Sequence, residues 1–150
     1  MILPDVNVLV YAHRRDASRH EEYRGWLERS VAGPSPFGLS DLVLSGFIRV
    51  VTHPRVFVDP TPLSDAVAFV RAIRGRDHRV EVAPGPRHWS LFLQFCDQAK
   101  ARGNLVPDAY LAALAVESGM EWITTDGDFK RFPGLRTRHP LEGADAARDA

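Results

Sequence analysis

The sequence predicts an α/β fold in which a mostly parallel sheet carries helices on both faces. Short apolar runs alternate along the chain with amphipathic stretches of helical period, the order that parallel crossovers produce. No internal repeat, low-complexity linker or shift in composition divides the 150 residues, so residues 1–150 are expected to form a single domain with its own core. An apolar content of 45% and a charged content of 25% belong to an ordinary globular chain.

Each element has a local reason. Ile2-Leu3 begins a strand almost at the first residue. Asp5 stands at its carboxyl end, with Asn7 two places on and Val8-Leu9-Val10 behind. Residues 18–31, SRHEEYRGWLERSV, set Tyr23, Trp26, Leu27 and Val31 on one helical face. Ser18 followed by Glu21 has the form of a capping box, and Gly33-Pro34 closes the helix. Residues 35–39 read as a second strand. DLVLSGFIRVVT follows as a helix with Leu44, Phe47, Ile48 and Val51 on its apolar face, Asp41 in its first turn and His53-Pro54 as its stop. The loop at residues 55–62, RVFVDPTP, holds three apolar side chains and is expected to pack down on the core.

Residues 64–75 give a third amphipathic helix through Ala66, Val67, Val70 and Ile73. Residues 80–83 form a short strand, and Pro84-Gly85-Pro86 is a tight break. Residues 87–102 form a helix expected to turn Trp89, Phe92, Leu93, Cys96 and Ala99 inward, stopped by Gly103-Asn104. Pro107 takes the first position of the next helix, with Asp108 beside it and Gly119 at its end. Residues 120–125 are an apolar strand that runs into TTDGD, and residues 135–138 a last short strand. The alanine-rich tail, residues 142–150, is expected to fray or to belong to a partner.

Basic and acidic residues balance at 19 each, so overall charge gives no sign of nucleic-acid binding. Arginines outnumber lysines 17 to 2. Gathered locally they would hold phosphate in bidentate fashion, although a GC-rich genome produces the same bias. Cys96 is the only cysteine, which excludes an internal disulfide and a cysteine-built metal site, and its apolar helical setting is that of a structural thiol. The six histidines show no metal-ligand spacing. The patterns GxGxxG, GxxxxGK[ST] and GxSxG are absent. No leader-like segment and no run of 18 apolar residues occurs, so a cytoplasmic protein without a membrane span is expected.

Four aspartates occupy comparable places. Asp5 and Asp126 end apolar strands, while Asp41 and Asp108 lie in the first turns of helices. With parallel strands all four point to the sheet edge where α/β proteins bind ligands. Each has a plainer role available: Asp5 as a helix cap, Asp41 and Asp108 as first-turn charges, Asp126 and Asp128 as turn formers around Asp-Gly. Taken together they fit those roles less well. Carboxylates brought close repel, and one must take up a proton unless a cation sits between them. An all-oxygen set without thiolate or histidine suits Mg²⁺ or Mn²⁺. Bound to substrate phosphate, such ions activate water for phosphodiester hydrolysis. Asn7, Ser40 and Thr125 flank three of the aspartates, as groups that orient a carboxylate or as ordinary capping and turn residues.

The segments DVNVLVYA, LSDLVLSGFIRVVTHPRVF, GNLVPDAYLAALAVESG and WITTDGDFKRFPGLR, in this order and spacing, resemble the PIN-domain family and, within it, the VapC-type toxins of bacterial toxin–antitoxin pairs. The resemblance implies a three-layer α/β/α sandwich and an endoribonuclease that cuts RNA with Mg²⁺ or Mn²⁺. It implies Asp5, Asp108 and Asp126 as metal-binding acids. Asp41 matches the second acidic position, where the family more often has Glu. Asp128 matches an assisting acid that acts through water, and Thr125 a supporting hydroxyl. A homodimer is implied too, silenced by an antitoxin whose C-terminal segment enters the active-site groove.

A neutral chain needs arginines beside the acids to hold a phosphate backbone. Arg14, Arg15, Arg49 and Arg55 are the candidates by position, with solvated surface as the alternative for each. The Val56-Phe57-Val58 loop is a candidate dimer or antitoxin surface, or a cover for the core. Two rivals to a toxin ribonuclease stand out. A phosphatase with an aspartyl intermediate would want a general acid and a positioned lysine, and neither accompanies DVN. A catalytically quiet module that binds protein or RNA is countered by the intact set of aspartates.

Overall fold

The computed structural model describes residues 1–143; most of the expected tail, residues 144–150, lies outside the described residues. The elements in order are β1 Ile2–Pro4, α1 Val6–His13, α2 His20–Ala32, β2 Phe37–Leu39, α3 Asp41–Val51 and α4 Leu63–Arg74. They continue with β3 Arg79–Glu81, α5 His88–Gln98, α6 Leu105–Glu117, β4 Glu121–Ile123, a 3₁₀ turn at Gly127–Arg131 and β5 Thr137–Arg138.

Every ladder among the described residues is parallel, in the orders β1-β4-β5 and β2-β3. The two sheets adjoin at Gly38. A Cβ added there would lie 3.0 Å from the Ile2 carbonyl oxygen and would collide with Met120 Sδ, so a glycine is what lets β2 approach β1. β2 and β3 therefore lie on one side of β1, and β4 and β5 on the other. The order reverses between β1 and β4, the crevice in which open α/β sheets bind ligands. Helices α1 to α4 pack as one group and α5 with α6 as another, giving the predicted mixed α/β architecture. No helix among the described residues is long and apolar enough to cross a membrane.

The core runs through all elements except β3 and β5. Leu3, Phe37, Trp122 and Ile123 from the strands meet Leu9, Val43, Phe47 and Leu114 from the helices, each at most 1% exposed. Full burial of such a side chain contributes about 1.5–3 kcal/mol before the entropy of ordering is subtracted. Among the described residues the Trp122 indole Nε1 has no hydrogen-bond partner.

Several expectations need correction. Helix α2 starts at His20 after Arg19 at φ 59°, so the Ser18–Glu21 capping box does not form. Helix α6 starts at Leu105, which places Pro107 at its third position. Proline is tolerated there because the first N–H groups of a helix have no intrahelical acceptor. Helix α5 ends at Gln98, and Lys100 takes a positive φ of 49°. Its buried residues are His88 and Phe95, whereas Trp89 and Leu93 are 61% and 50% exposed rather than turned inward. Cys96 is half-buried.

The loop after α3 is pinned by a cation rather than by its apolar side chains. Val56 and Val58 are exposed, while the Arg14 guanidinium carbon sits 3.9 Å from the centre of the Phe57 ring. Arg14 Nη1 donates to the Asp59 carbonyl at 2.7 Å, and its Nε and Nη2 fork onto Asp16 at 2.9 and 2.6 Å. Buried and fully engaged, Arg14 serves the fold and is not available to a phosphate backbone.

Candidate active site

The carboxyl end of β1 delivers Asp5 at the point where the strand order reverses. Its carboxylate does two things at once. Oδ1 accepts from the Val6 N–H at 2.6 Å, capping α1, while Oδ2 accepts from Thr124 Oγ1 at 2.7 Å. The pairing register explains the second bond. Pro4 stands opposite Ile123, so the next residue of each strand, Asp5 and Thr124, also face one another. The Asp5 N–H donates to the Ile123 carbonyl at 2.8 Å and extends the ladder by one step.

The same hydroxyl continues outward. Thr124 Oγ1 accepts from the Asp126 N–H at 3.0 Å, and Asp126 Oδ1 accepts from the Asp128 N–H at 2.9 Å. The turn after β4 is thus tied to Asp5 through one threonine. Asn7 ties it a second time, its Oδ1 accepting from the Thr125 N–H at 3.4 Å. Thr124, 5% exposed, is the threonine whose hydroxyl contacts Asp5; Thr125 contributes its backbone N–H. The family resemblance points to the neighbouring Thr125, since only the β1–β4 register distinguishes the two threonines. A polar residue extending an otherwise apolar strand was the available signal.

Asp108, from the first turn of α6, completes the group. Its carboxyl is pushed up to about 6, first by burial and then by the charges of Asp126 and Asp128. Asp5 is likewise pushed up to about 6, chiefly by burial, with Asp108 and Asp126 adding repulsion and the Thr124 and Val6 hydrogen bonds opposing it. Four of the five predicted acids therefore act on one another across the crevice, and none of them neutralises the others.

Asp41 is not among them. Arg74, in the last turn of α4, forks onto its carboxylate, Nε to Oδ1 at 2.9 Å and Nη2 to Oδ2 at 3.0 Å. That contact holds the Asp41 carboxyl below its ordinary value. The structure places the Asp41 side chain with Arg74 rather than with the other acids. Ser40 caps α3 through the Leu42 N–H, which leaves Asp41 exposed at the first helical position, within reach of Arg74.

Farther along α3, a groove of about 600 Å³ opens beside the acids, lined by Val6, the residue after Asp5, and by Pro107, the residue before Asp108. Arg49 is on its wall. Of the other arginines singled out by position, Arg15 lines clefts at the far end of α1, and Arg55 is exposed in the loop after α3.

Among the described residues no three His, Cys, Asp or Glu side chains close around a single point. The donor set instead fits a hard cation that keeps most of its waters. Mg²⁺ is commonly held by one or two carboxylates and by the phosphate of its substrate. Asp108 has no hydrogen-bond or ion-pair partner among the described residues, which leaves its oxygens open to such an ion.

The chain matches the model of the PIN domain over residues 2–135. It is 49% identical over 143 residues to the VapC ribonuclease Mb2897 of Mycobacterium bovis, covering 95% of this chain and 97% of that one. Ribonuclease VapC25 of Mycobacterium tuberculosis is 44% identical over 140 residues, covering 93% and 99%. Among solved structures, VapBC2 from Rickettsia felis bound to a promoter DNA fragment shares the fold at a TM-score of 0.67 and 17% identity, over 93% of this chain and 98% of that one. Mycobacterium tuberculosis VapC20, a Sarcin-Ricin loop cleaving toxin, aligns at a TM-score of 0.64 and 17% identity, over 91% and 99%. With its acids gathered at the switch point of a parallel sheet and this degree of likeness along its length, the chain belongs to the PIN-domain family and, within it, to the VapC ribonucleases.

Proposed function

We propose that this protein is the toxin of a toxin–antitoxin pair, an endoribonuclease that hydrolyses RNA phosphodiester bonds with Mg²⁺ or Mn²⁺. The observation that carries the reading is the group of mutually repelling carboxylates, Asp5, Asp108 and Asp126, in a partly buried crevice. Such a group stores a cost that a divalent cation removes.

Asp5, Asp108 and Asp126 would hold the ion between them, one or two of them directly and the rest through the waters it keeps, with Asp128 also acting through water. The ion, when bound, supplies positive charge against the phosphate and lowers the pKa of water. The chain's own part is positioning. Thr124 and the Val6 N–H fix both oxygens of Asp5, and the Asp128 N–H fixes one oxygen of Asp126. Asp108, its carboxyl pushed up to about 6, is largely ionised at neutral pH and would then be open to the cation, while protons would compete for it as pH falls through 6. No covalent intermediate is required of any side chain. A homodimer and a protein antitoxin that covers the acidic site complete the proposal, in line with solved relatives of the same fold that are VapBC complexes.

The test is cleavage of total cellular RNA by the purified protein, with Mg²⁺ or Mn²⁺, with chelator, and with folded Asp5→Asn and Asp108→Asn variants. Discrete fragments that disappear with chelator and in both variants are expected. Persistent cleavage in chelator would refute the metal requirement. Absence of both cleavage and metal binding would leave a binding module.

A further inference from the structure

The groove beside the acids has a composition that the hydrolytic chemistry does not account for. Its lining is largely apolar and includes Phe92 and Tyr110 together with Val6 and Pro107, the chain neighbours of Asp5 and Asp108. Gly46 adds no side chain to the α3 wall, and even a Cβ there would come within 3.0 Å of Val6 Cγ2. Arg49 is the one charged side chain on its lining, and it has no hydrogen-bond or ion-pair partner among the described residues.

Phe92 and Tyr110 both pack against the buried His88. Buried His88 shares a hydrogen bond of 2.9 Å with the Tyr110 carbonyl, and its ring lies 4.2 Å from the Tyr110 ring centre and parallel to Phe92 within 6°. The Phe92 and Tyr110 rings stand 5.4 Å apart at 67°. Rigid aromatic surface next to an unpaired cation is the combination by which proteins hold single-stranded nucleic acid, the rings taking base faces and the cation a phosphate.

We propose that this groove seats one unstacked nucleobase of the RNA strand being cut, with Arg49 on a phosphate of the same strand. The inference rests on the ribonuclease reading and adds a subsite to it. A strand whose phosphate reaches Asp5 and Asp108 passes the mouth of the groove, because Val6 and Pro107 adjoin those two acids in the chain. The groove also explains how a chain of zero net charge retains its substrate: stacking supplies affinity that a broad basic surface would otherwise supply.

The test uses an oligoribonucleotide spanning a cleavage site mapped in cellular RNA, with one base at a time removed to leave an abasic sugar. This alters the substrate and leaves the protein intact. One position within about three nucleotides of the cut is expected to lose roughly 10- to 100-fold in kcat/KM. In Phe92→Ala, checked for folding by thermal unfolding, the same abasic position is expected to cost less than about threefold, because the stacking partner is already gone. Arg49→Ala is expected to raise KM and to flatten its dependence on salt. If wild-type protein cuts every abasic substrate within about twofold of the intact one, the base subsite is wrong while the ribonuclease stands. If Phe92→Ala and Arg49→Ala cut normally but escape silencing by the antitoxin, the groove belongs to a protein segment and the proposal falls. Failure of wild-type protein to cut any RNA overturns the ribonuclease reading itself, and the subsite with it.

Discussion

Asp5 is asked to cap a helix, to accept a buried hydroxyl and to stay available to a cation, and Thr124 is what reconciles these demands. Thr124→Val is expected to lower cleavage roughly 10- to 100-fold, the usual cost of removing a hydrogen bond that orients a metal-binding group, while Thr124→Ser retains most activity. Thr125→Val, whose hydroxyl makes no such bond, is expected to stay within about twofold. Equal losses at the two threonines would count against this assignment. Asp41→Asn is expected to leave kcat nearly unchanged, since Asp41 faces Arg74; a loss as large as that of Asp108→Asn would restore it to the site. The aspartates themselves were legible in the sequence because each follows a strand or opens a helix. Which of them meet was not. The Asp5–Thr124 contact spans 119 positions and follows from strand register, and the diversion of Asp41 depends on an arginine 33 positions away on another helix.

At the scale of the element, periodicity located the helices and lost their ends. The α3 stripe of Leu44, Phe47 and Val51 is buried as expected. The α5 stripe was displaced because Trp89 and Leu93 are apolar yet exposed, while His88, a polar residue, is buried and held by the Tyr110 carbonyl. Hydrophobicity alone ranks those residues the wrong way round. Gly38 shows the reverse case, a residue without a pattern whose absence of a side chain sets how two strands meet. Gly38→Ala brings a Cβ to 3.0 Å from the Ile2 carbonyl oxygen, which belongs to a buried strand and cannot move far. A loss of about 1–3 kcal/mol is expected from such overpacking, read as a lower midpoint in urea unfolding. An unchanged midpoint would mean that β2 and β1 are not held this close.

The acids set a balance for the whole molecule between stability and function, and pH reveals it. The carboxyls of Asp5 and Asp108 are raised to about 6 from the 3.8 of a free aspartate. Between these values the folded chain binds more protons than the unfolded one, so metal-free stability falls as pH rises through the window of about 4 to 6 and stays low above it. For buried Asp5 alone the loss is of order 3 kcal/mol, at 1.36 kcal/mol per pH unit; half-exposed Asp108 contributes less. Asp108→Asn removes one of the repelling charges and is expected to raise the metal-free melting temperature at pH 7.5 by roughly 2–4 °C, for about 1 kcal/mol in a chain of this size. At pH 4 the same substitution should change little, because the carboxyl is then protonated in the folded state. Saturating Mg²⁺ is expected to stabilise wild-type protein at pH 7.5, by about 2.7 kcal/mol at a hundredfold excess over Kd, and to do so weakly in Asp108→Asn. Below the window the ion must compete with protons on both acids, so its stabilising effect should fade as pH drops through 6. A variant that is more stable without metal, less stabilised by it and unable to cut RNA would tie these opposing effects to one carboxylate. A variant destabilised at neutral pH without metal would show instead that Asp108 supports the fold.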